Sequence, residues 1–180
     1  NWKNDIERLA KRTGKQVDVK VNVVNGLNIS KIIAHTLNVE LGHIYRNCVD
    51  HGVELPEERE KLGKPTTGTI SINIGIKDDN KLSLQISDDG AGLNEEKIVK
   101  IAQNNSNLNQ EKIKKLVESK QIWRILFLPG FSSAKVVTDI SGRGVGLDAV
   151  VDALKSINGR IHLASQRNKG SRFTIITPIK

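Results

Sequence analysis

The chain has 180 residues, enough for one domain with its own core, and with 37% hydrophobic but only 3% aromatic residues that core must be built from Ile, Leu and Val. A net charge of +8 and a pI near 9.6 raise a nucleic-acid reading, but the basic residues are scattered, aromatic stacking platforms are nearly absent, and solvated surface accounts for the charge. No apolar run approaches the ~20 residues that cross a bilayer and none reads as a signal peptide; the single cysteine, Cys48, excludes an internal disulfide and fits a reducing, cytoplasmic setting.

NWKNDIERLAKRTG reads as a helix ending near Gly14, and VDVKVNV at 17–23 alternates as a strand does. Residues near 30–51 form a long helix. At ~100° per residue, Leu37, Leu41, Ile44 and Cys48 make an apolar stripe suited to a sheet, with Cys48 as inert packing. Beside it, His43, Asn47, Asp50 and His51 fall within one quadrant. Two imidazoles, an amide and a carboxylate can meet phosphate oxygens or ligate a hard cation such as Mg²⁺. The same residues also suit a polar helix end with Gly52 as its stop. Pro56 then opens a short helix, PEEREKLG.

GTISINIGI at 68–76 and KLSLQIS at 81–87 alternate and join across 77–80 as a hairpin. The second strand runs into Asp88-Asp89-Gly90-Ala91-Gly92. Glycines there let a ligand approach the main chain, and a carboxylate at the strand end accepts a hydrogen bond from an exocyclic amine, which selection of adenine requires. Asp-Gly is also ordinary turn chemistry. A helix is predicted at about 94–103, followed by a polar stretch, 104–120, expected as a mobile loop, and a short amphipathic piece, QIWRILF.

Ser141-Gly142-Arg143-Gly144-Val145-Gly146 leads into LDAVVDAL, a helix expected over 146–157. Main-chain N–H groups at that helix start make an anion site. The loop matches neither the P-loop nor the dinucleotide fingerprint. RIHLASQ, a turn at 168–170 and SRFTIITPI close the chain as two strands. The sum is an α/β two-layer sandwich, with helices on one face of a mixed, largely antiparallel sheet, in a single domain spanning 1–180. The polar helix and two glycine-rich loops together describe a pocket for a nucleoside triphosphate and its metal ion.

The runs HIYRNCVDHGVELPEEREKLGKP, DDGAGL, FLPGFSS, VTDISGRGVGLDAV and GSRFTI resemble the N, glycine and F boxes of histidine-kinase ATP-binding domains, and among them the CheA type, over nearly the whole chain. The glycine boxes are shared with gyrase, MutL and Hsp90 relatives, whereas DHG-x-E-x-P-E-E-R and PGFS…SGRGVG are more specific. The resemblance implies the Bergerat fold of the GHKL superfamily, with ATP and Mg²⁺ as cofactors. It implies that Asn47 holds Mg²⁺ and that His43, His51 and Lys97 reach the phosphates. Asp50 joins the nucleotide-binding set, Asp88 selects adenine, and Gly90 and Gly92 shape the adenine pocket. Ser141, Gly142, Gly144 and Gly146 belong to a lid over the phosphates, and Thr174 in the last strand lies near adenine.

Some positions depart from that pattern. A common Lys-Ala pair reads Ile101-Ala102, with Lys100 one place earlier, and Leu147 replaces a usual methionine, a volume-conserving change. His43 stands where gyrase and MutL relatives carry a water-activating glutamate, which favours transfer to an acceptor over hydrolysis. His35 and His162 read as core or boundary residues, so the resemblance puts the acceptor histidine on a separate phosphoacceptor domain, in cis or in trans. A response regulator downstream and receptor or adaptor partners, reached through other domains, complete the implied setting. The first residue is Asn rather than Met, so the chain is expected to be a fragment. A nucleotide-binding module without turnover, a GHKL-type ATP hydrolase and a serine kinase of the anti-sigma type remain the alternatives.

Overall fold

The computed structural model describes residues 1–77, 80–131 and 146–179. Its elements in chain order are α1 (Trp2–Arg12), β1 (Val17–Val23), α2 (Lys31–Asn47), a π-helical turn (Cys48–Gly52), α3 (Pro56–Lys61), β2 (Gly68–Lys77), β3 (Lys81–Asp88), α4 (Glu95–Gln103), α5 (Gln110–Glu118), a 3₁₀ helix (Ile122–Phe127), α6 (Leu147–Ser156), β4 (Arg160–Gln166) and β5 (Gly170–Pro178).

The strands form one sheet in the order β1-β2-β3-β5-β4, with β1 parallel to β2 and the remaining pairs antiparallel. Period-2 alternation gives the sheet two unlike faces. Ile70, Ile72, Leu82, Leu84, Ile86, Phe173 and Ile175 point to one side and are buried. They meet Ile33, Leu37, Leu41 and Ile44 of α2 and Val150 and Leu154 of α6 in the main core. The opposite face carries Ser71, Asn73, Ser83, Gln85, Arg172, Thr174 and His162, none of them buried. Helices therefore cover one face of a mixed, largely antiparallel sheet, the expected α/β sandwich.

Local signals explain the ends of α2. Ser30 Oγ accepts the Ile33 N–H at 3.3 Å, satisfying a donor that the first turn leaves open. The far end does not stop at Gly52 as a simple cap would. The Val53 N–H bonds Cys48 O at 2.8 Å, so the last turn widens to a π-turn. α1 is tied across α2 by Trp2 Nε1 donating to Asn38 Oδ1 at 2.7 Å.

The stretch 104–120 differs from the expected mobile loop. Asn109 caps α5 by accepting the Lys112 N–H at 3.0 Å, and Ile113 and Leu116, three apart, bury against Ile98 and Ala102 of α4 and Ile125 of the 3₁₀ helix. This second apolar cluster orders a segment whose polar composition suggested none. His35 also differs, being exposed on α2 rather than in the core or at its boundary. His162 is exposed on β4, where Trp123 packs its ring at 4.8 Å between centroids.

Candidate functional site

The site grows from the C-terminal end of α2. Asn47 Nδ2 donates to His43 O one turn back at 2.8 Å, which turns the amide oxygen away from the helix. His43, Asn47 and Asp50 are half-buried along this edge, and His51 is exposed in the π-turn. The carbonyls that the widened turn leaves open are collected by a cation: Lys15 Nζ donates to Val49 O and to Asp50 O, the latter at 2.8 Å. Burial lowers the Lys15 pKa, opposed by Asp50, Glu58 and Glu54. On the same helix edge Glu40 is buried, and its Oε2 has no hydrogen-bond partner among the described residues. Burial raises its pKa, opposed by His43.

Asp88 closes β3 and is only 7% exposed. Its Oδ1 accepts the Gly90 N–H at 2.9 Å. Burial pushes its carboxyl up to about 6. The N–H groups of Gly90 and Ser171 and the Cys48 thiol oppose that rise, and neighbouring Asp89 adds to it. Cys48 packs in the core beside Asp88, and burial, with that neighbouring carboxylate, raises its thiol well above the usual range.

Main chains crowd behind Asp88. Ala91 N donates to Gly52 O at 2.9 Å, and Asn168 N donates to Ala91 O at 2.7 Å. At Gly90 a Cβ would collide with Gly52 O, and at Gly92, whose φ is +67°, it would collide with Gln166 O. The two glycines let the 88–92 loop pass between the π-turn and the β4–β5 turn.

A buried charge network fastens the same loop. Arg59 of α3, with a side chain 1% exposed, donates to Glu54 Oε2 at 2.9 Å, Asp89 Oδ2 at 3.0 Å and Pro65 O at 2.7 Å. Lys64 Nζ donates to Glu54 Oε1 at 2.7 Å, to Gly90 O at 2.8 Å and to Asp89 O at 3.1 Å. Asp89 Oδ1 accepts the Thr69 N–H at 2.9 Å. Burial alone would raise the Glu54 carboxyl, but Lys64 and Arg59 outweigh it and hold it below its ordinary value. Every charge in the network has partners, which is the condition for burying it.

The structure therefore gathers the end of α2, the π-turn, Asp88, Gly90 and Gly92 at one edge of the sandwich. Lys97 is exposed in the first turn of α4, where Asn94 Oδ1 caps its N–H at 3.0 Å. Gly146 is the N-cap of α6. Ser141, Gly142 and Gly144 lie outside the described residues.

Thr174 is not brought to this edge. It pairs with Gln85 and His162, so its side chain lies on the polar face opposite Asp88, where it lines two clefts of about 770 and 620 Å³. Ser171 pairs with Asp88 directly and shares its face. The resemblance placed Thr174 near adenine, but three residues on from Ser171 it falls on the other face of β5 by the alternation of the strand.

Among the described residues no group of three His, Cys, Asp or Glu could hold a metal ion, and no helix is long and apolar enough to cross a membrane. Sequence reasoning had not given roles to Lys15, Glu54, Arg59, Lys64 or Ser171. For Glu54, Arg59 and Lys64 the signal was present in the distinctive run after the N box.

Residues 36–180 match the family described as histidine kinase-, DNA gyrase B-, and HSP90-like ATPase. The chain is 37% identical over 177 residues to chemotaxis protein CheA of Cereibacter sphaeroides, covering 97% of this chain and 25% of that protein. It is 38% identical over 176 residues to chemotaxis protein CheA of Listeria monocytogenes, covering 97% of this chain and 28% of that protein. It thus spans about a quarter of the length of these curated relatives. Among solved structures, the histidine kinase domain of the Erythrobacter litoralis EL346 blue-light activated histidine kinase superposes with a TM-score of 0.54 at 11% identity, covering 98% of this chain and 57% of that one. That likeness is one of fold.

Proposed function

The chain belongs to the histidine kinase-, DNA gyrase B- and HSP90-like ATPase family, and from that premise we propose that it binds Mg²⁺-ATP and transfers the γ-phosphoryl group to a histidine of a separate phosphoacceptor domain in chemotaxis-like signalling. The observation that carries the nucleotide reading is Asp88: a buried strand-end carboxylate with one oxygen fixed by Gly90 N–H and three main-chain segments packed behind it. A carboxylate so held accepts the exocyclic amine of adenine, where guanine presents a carbonyl oxygen and is rejected. Gly90 and Gly92 let the loop pack closely on Gly52 O and Gln166 O, which fixes it beside Asp88 and so shapes the pocket for the base.

Asn47 fits the metal. Its amide nitrogen is spent on His43 O, so the oxygen that remains is a hard, neutral ligand. One amide ligand suits Mg²⁺, which keeps several waters and takes phosphate oxygens rather than a protein cage. When bound, the ion neutralises charge on the phosphates during transfer. His43, His51 and Lys97 supply donors to the phosphate oxygens, and Asp50 belongs to the nucleotide-binding set beside them. The lid role of Ser141, Gly142, Gly144 and Gly146 rests on the resemblance alone, the first three lying outside the described residues. The protein's part in such a transfer is positioning and charge stabilisation. The acceptor imidazole, the response regulator it serves and any receptor or adaptor come with other domains or chains, in the cytoplasm.

His43 stands one turn before Asn47 where gyrase and MutL relatives carry a water-activating glutamate, and the loss of that carboxylate favours transfer over hydrolysis. Asn47→Asp tests the assignment: it puts a charge where a neutral ligand is needed, and transfer to a supplied acceptor domain is expected to fall at least ~100-fold. Wild-type transfer in that variant contradicts the metal role, and steady ATP hydrolysis without any acceptor favours the hydrolase alternative.

A further inference from the structure

We propose that Lys64 and Arg59 are positioning residues for Asp88, acting through the single peptide unit that joins Asp89 to Gly90. This rests on the reading of Asp88 as the base-selecting carboxylate. The carbonyl of that unit accepts from Lys64 Nζ at 3.1 Å and from Arg59 Nη1 at 3.4 Å. The N–H of the same unit donates to Asp88 Oδ1 at 2.9 Å. A carbonyl that accepts from cations polarises its amide, and the polarised N–H donates more strongly. Two cations on one side of the loop thereby hold the carboxylate on the other.

The geometry leaves the peptide little freedom to turn. Lys64 also holds the next carbonyl, Gly90 O, at 2.8 Å, and Glu54 anchors both cations, at 2.7 Å from Lys64 and 2.9 Å from Arg59. The groups that face Asp88 are the Cys48 thiol from the π-turn, the Ser171 N–H from β5, and the Gly90 N–H and Asp89 carboxylate from its own loop. Asp89 is the like charge in that set, and Arg59 pairs with it at 3.0 Å. Both cations therefore act with one sign, favouring the ionised, fixed form of Asp88 against its burial. The segment from Glu54 to Lys64 becomes a buttress for the base pocket rather than part of the phosphate machinery.

The test titrates the Asp88 carboxyl by carbon-13 NMR in nucleotide-free protein, and follows binding of non-hydrolysable ATP and GTP analogues against pH. It compares wild type with Lys64→Met and with Glu54→Gln/Lys64→Met, which leaves no buried carboxylate without its ammonium. The expected result in either folded variant is an Asp88 midpoint raised by about half a pH unit. ATP-analogue binding is expected to weaken roughly two- to threefold at about pH 5–6, where the ionised fraction responds most, with a smaller preference over GTP. A merely structural role would leave the Asp88 midpoint in place. An unchanged midpoint and preference in the double variant overturn the proposal. Absence of any ATP preference in wild type sinks the adenine reading instead, and the ligand-free titration still decides whether Lys64 acts on Asp88.

Discussion

Two demands meet at Asp88. Burial favours the neutral acid, whereas an adenine amine needs the carboxylate. Burial pushes the carboxyl up to about 6 against an ordinary 3.8, so protonation falls at mildly acidic pH. The sign follows from the raised value: this group costs stability above about 6, and that cost is relieved as pH falls through it, while the carboxylate proposed to accept from the base is lost. ATP-analogue binding, normalised to inorganic triphosphate so that phosphate titration cancels, is expected to drop about tenfold one pH unit below the midpoint. A ratio flat between roughly pH 5 and 8 contradicts the role of Asp88. Asp88→Ala at neutral pH should likewise weaken ATP more than GTP. At this scale much was legible in the sequence: an acidic residue ending an alternating strand before Gly-Ala-Gly announces its chemistry. Ser171 was not legible, since its place opposite Asp88 depends on a strand register that no local pattern fixes.

The elements show why some segments read easily and others did not. The strands β2 and β3 alternate without interruption, so their buried face could be named residue by residue. The π-turn at Cys48–Gly52 leaves no such mark, because one extra residue per turn over five residues barely disturbs a hydrophobic period. Helix α5 hid behind the Asn-rich stretch before it, although Asn109 is its cap and Ile113 and Leu116 its anchor. The prediction at this scale concerns that anchor. Ile113 is 1% exposed in the second apolar cluster, and Ile113→Ala is expected to cost about 2–5 kcal/mol in denaturant unfolding. Asn109→Ala should cost about 1 kcal/mol through the lost cap. Values within a few tenths of zero for both would mean that α5 adds nothing to the fold.

The whole molecule separates its labour by face. Helices and the apolar core occupy one side of the sheet, the polar side meets Trp123 of the 3₁₀ helix at His162, and the gathered site residues sit at the edge where α2, the 88–92 loop and the β4–β5 turn converge. The fold class was legible because alternating strands and amphipathic helices agree on one architecture. The buttress of Glu54, Arg59 and Lys64 was visible only as a distinctive run of letters, since its meaning lies in contacts across 25 to 30 residues of chain. The claim that binds these scales together is that this edge is an Mg²⁺-dependent ATP site. Calorimetric titration of a non-hydrolysable ATP analogue, with and without Mg²⁺, tests it most directly. The account predicts binding in the micromolar range, about −8 kcal/mol, that weakens markedly when Mg²⁺ is withdrawn. A thermogram without binding heat at millimolar analogue, or affinity indifferent to Mg²⁺, contradicts it.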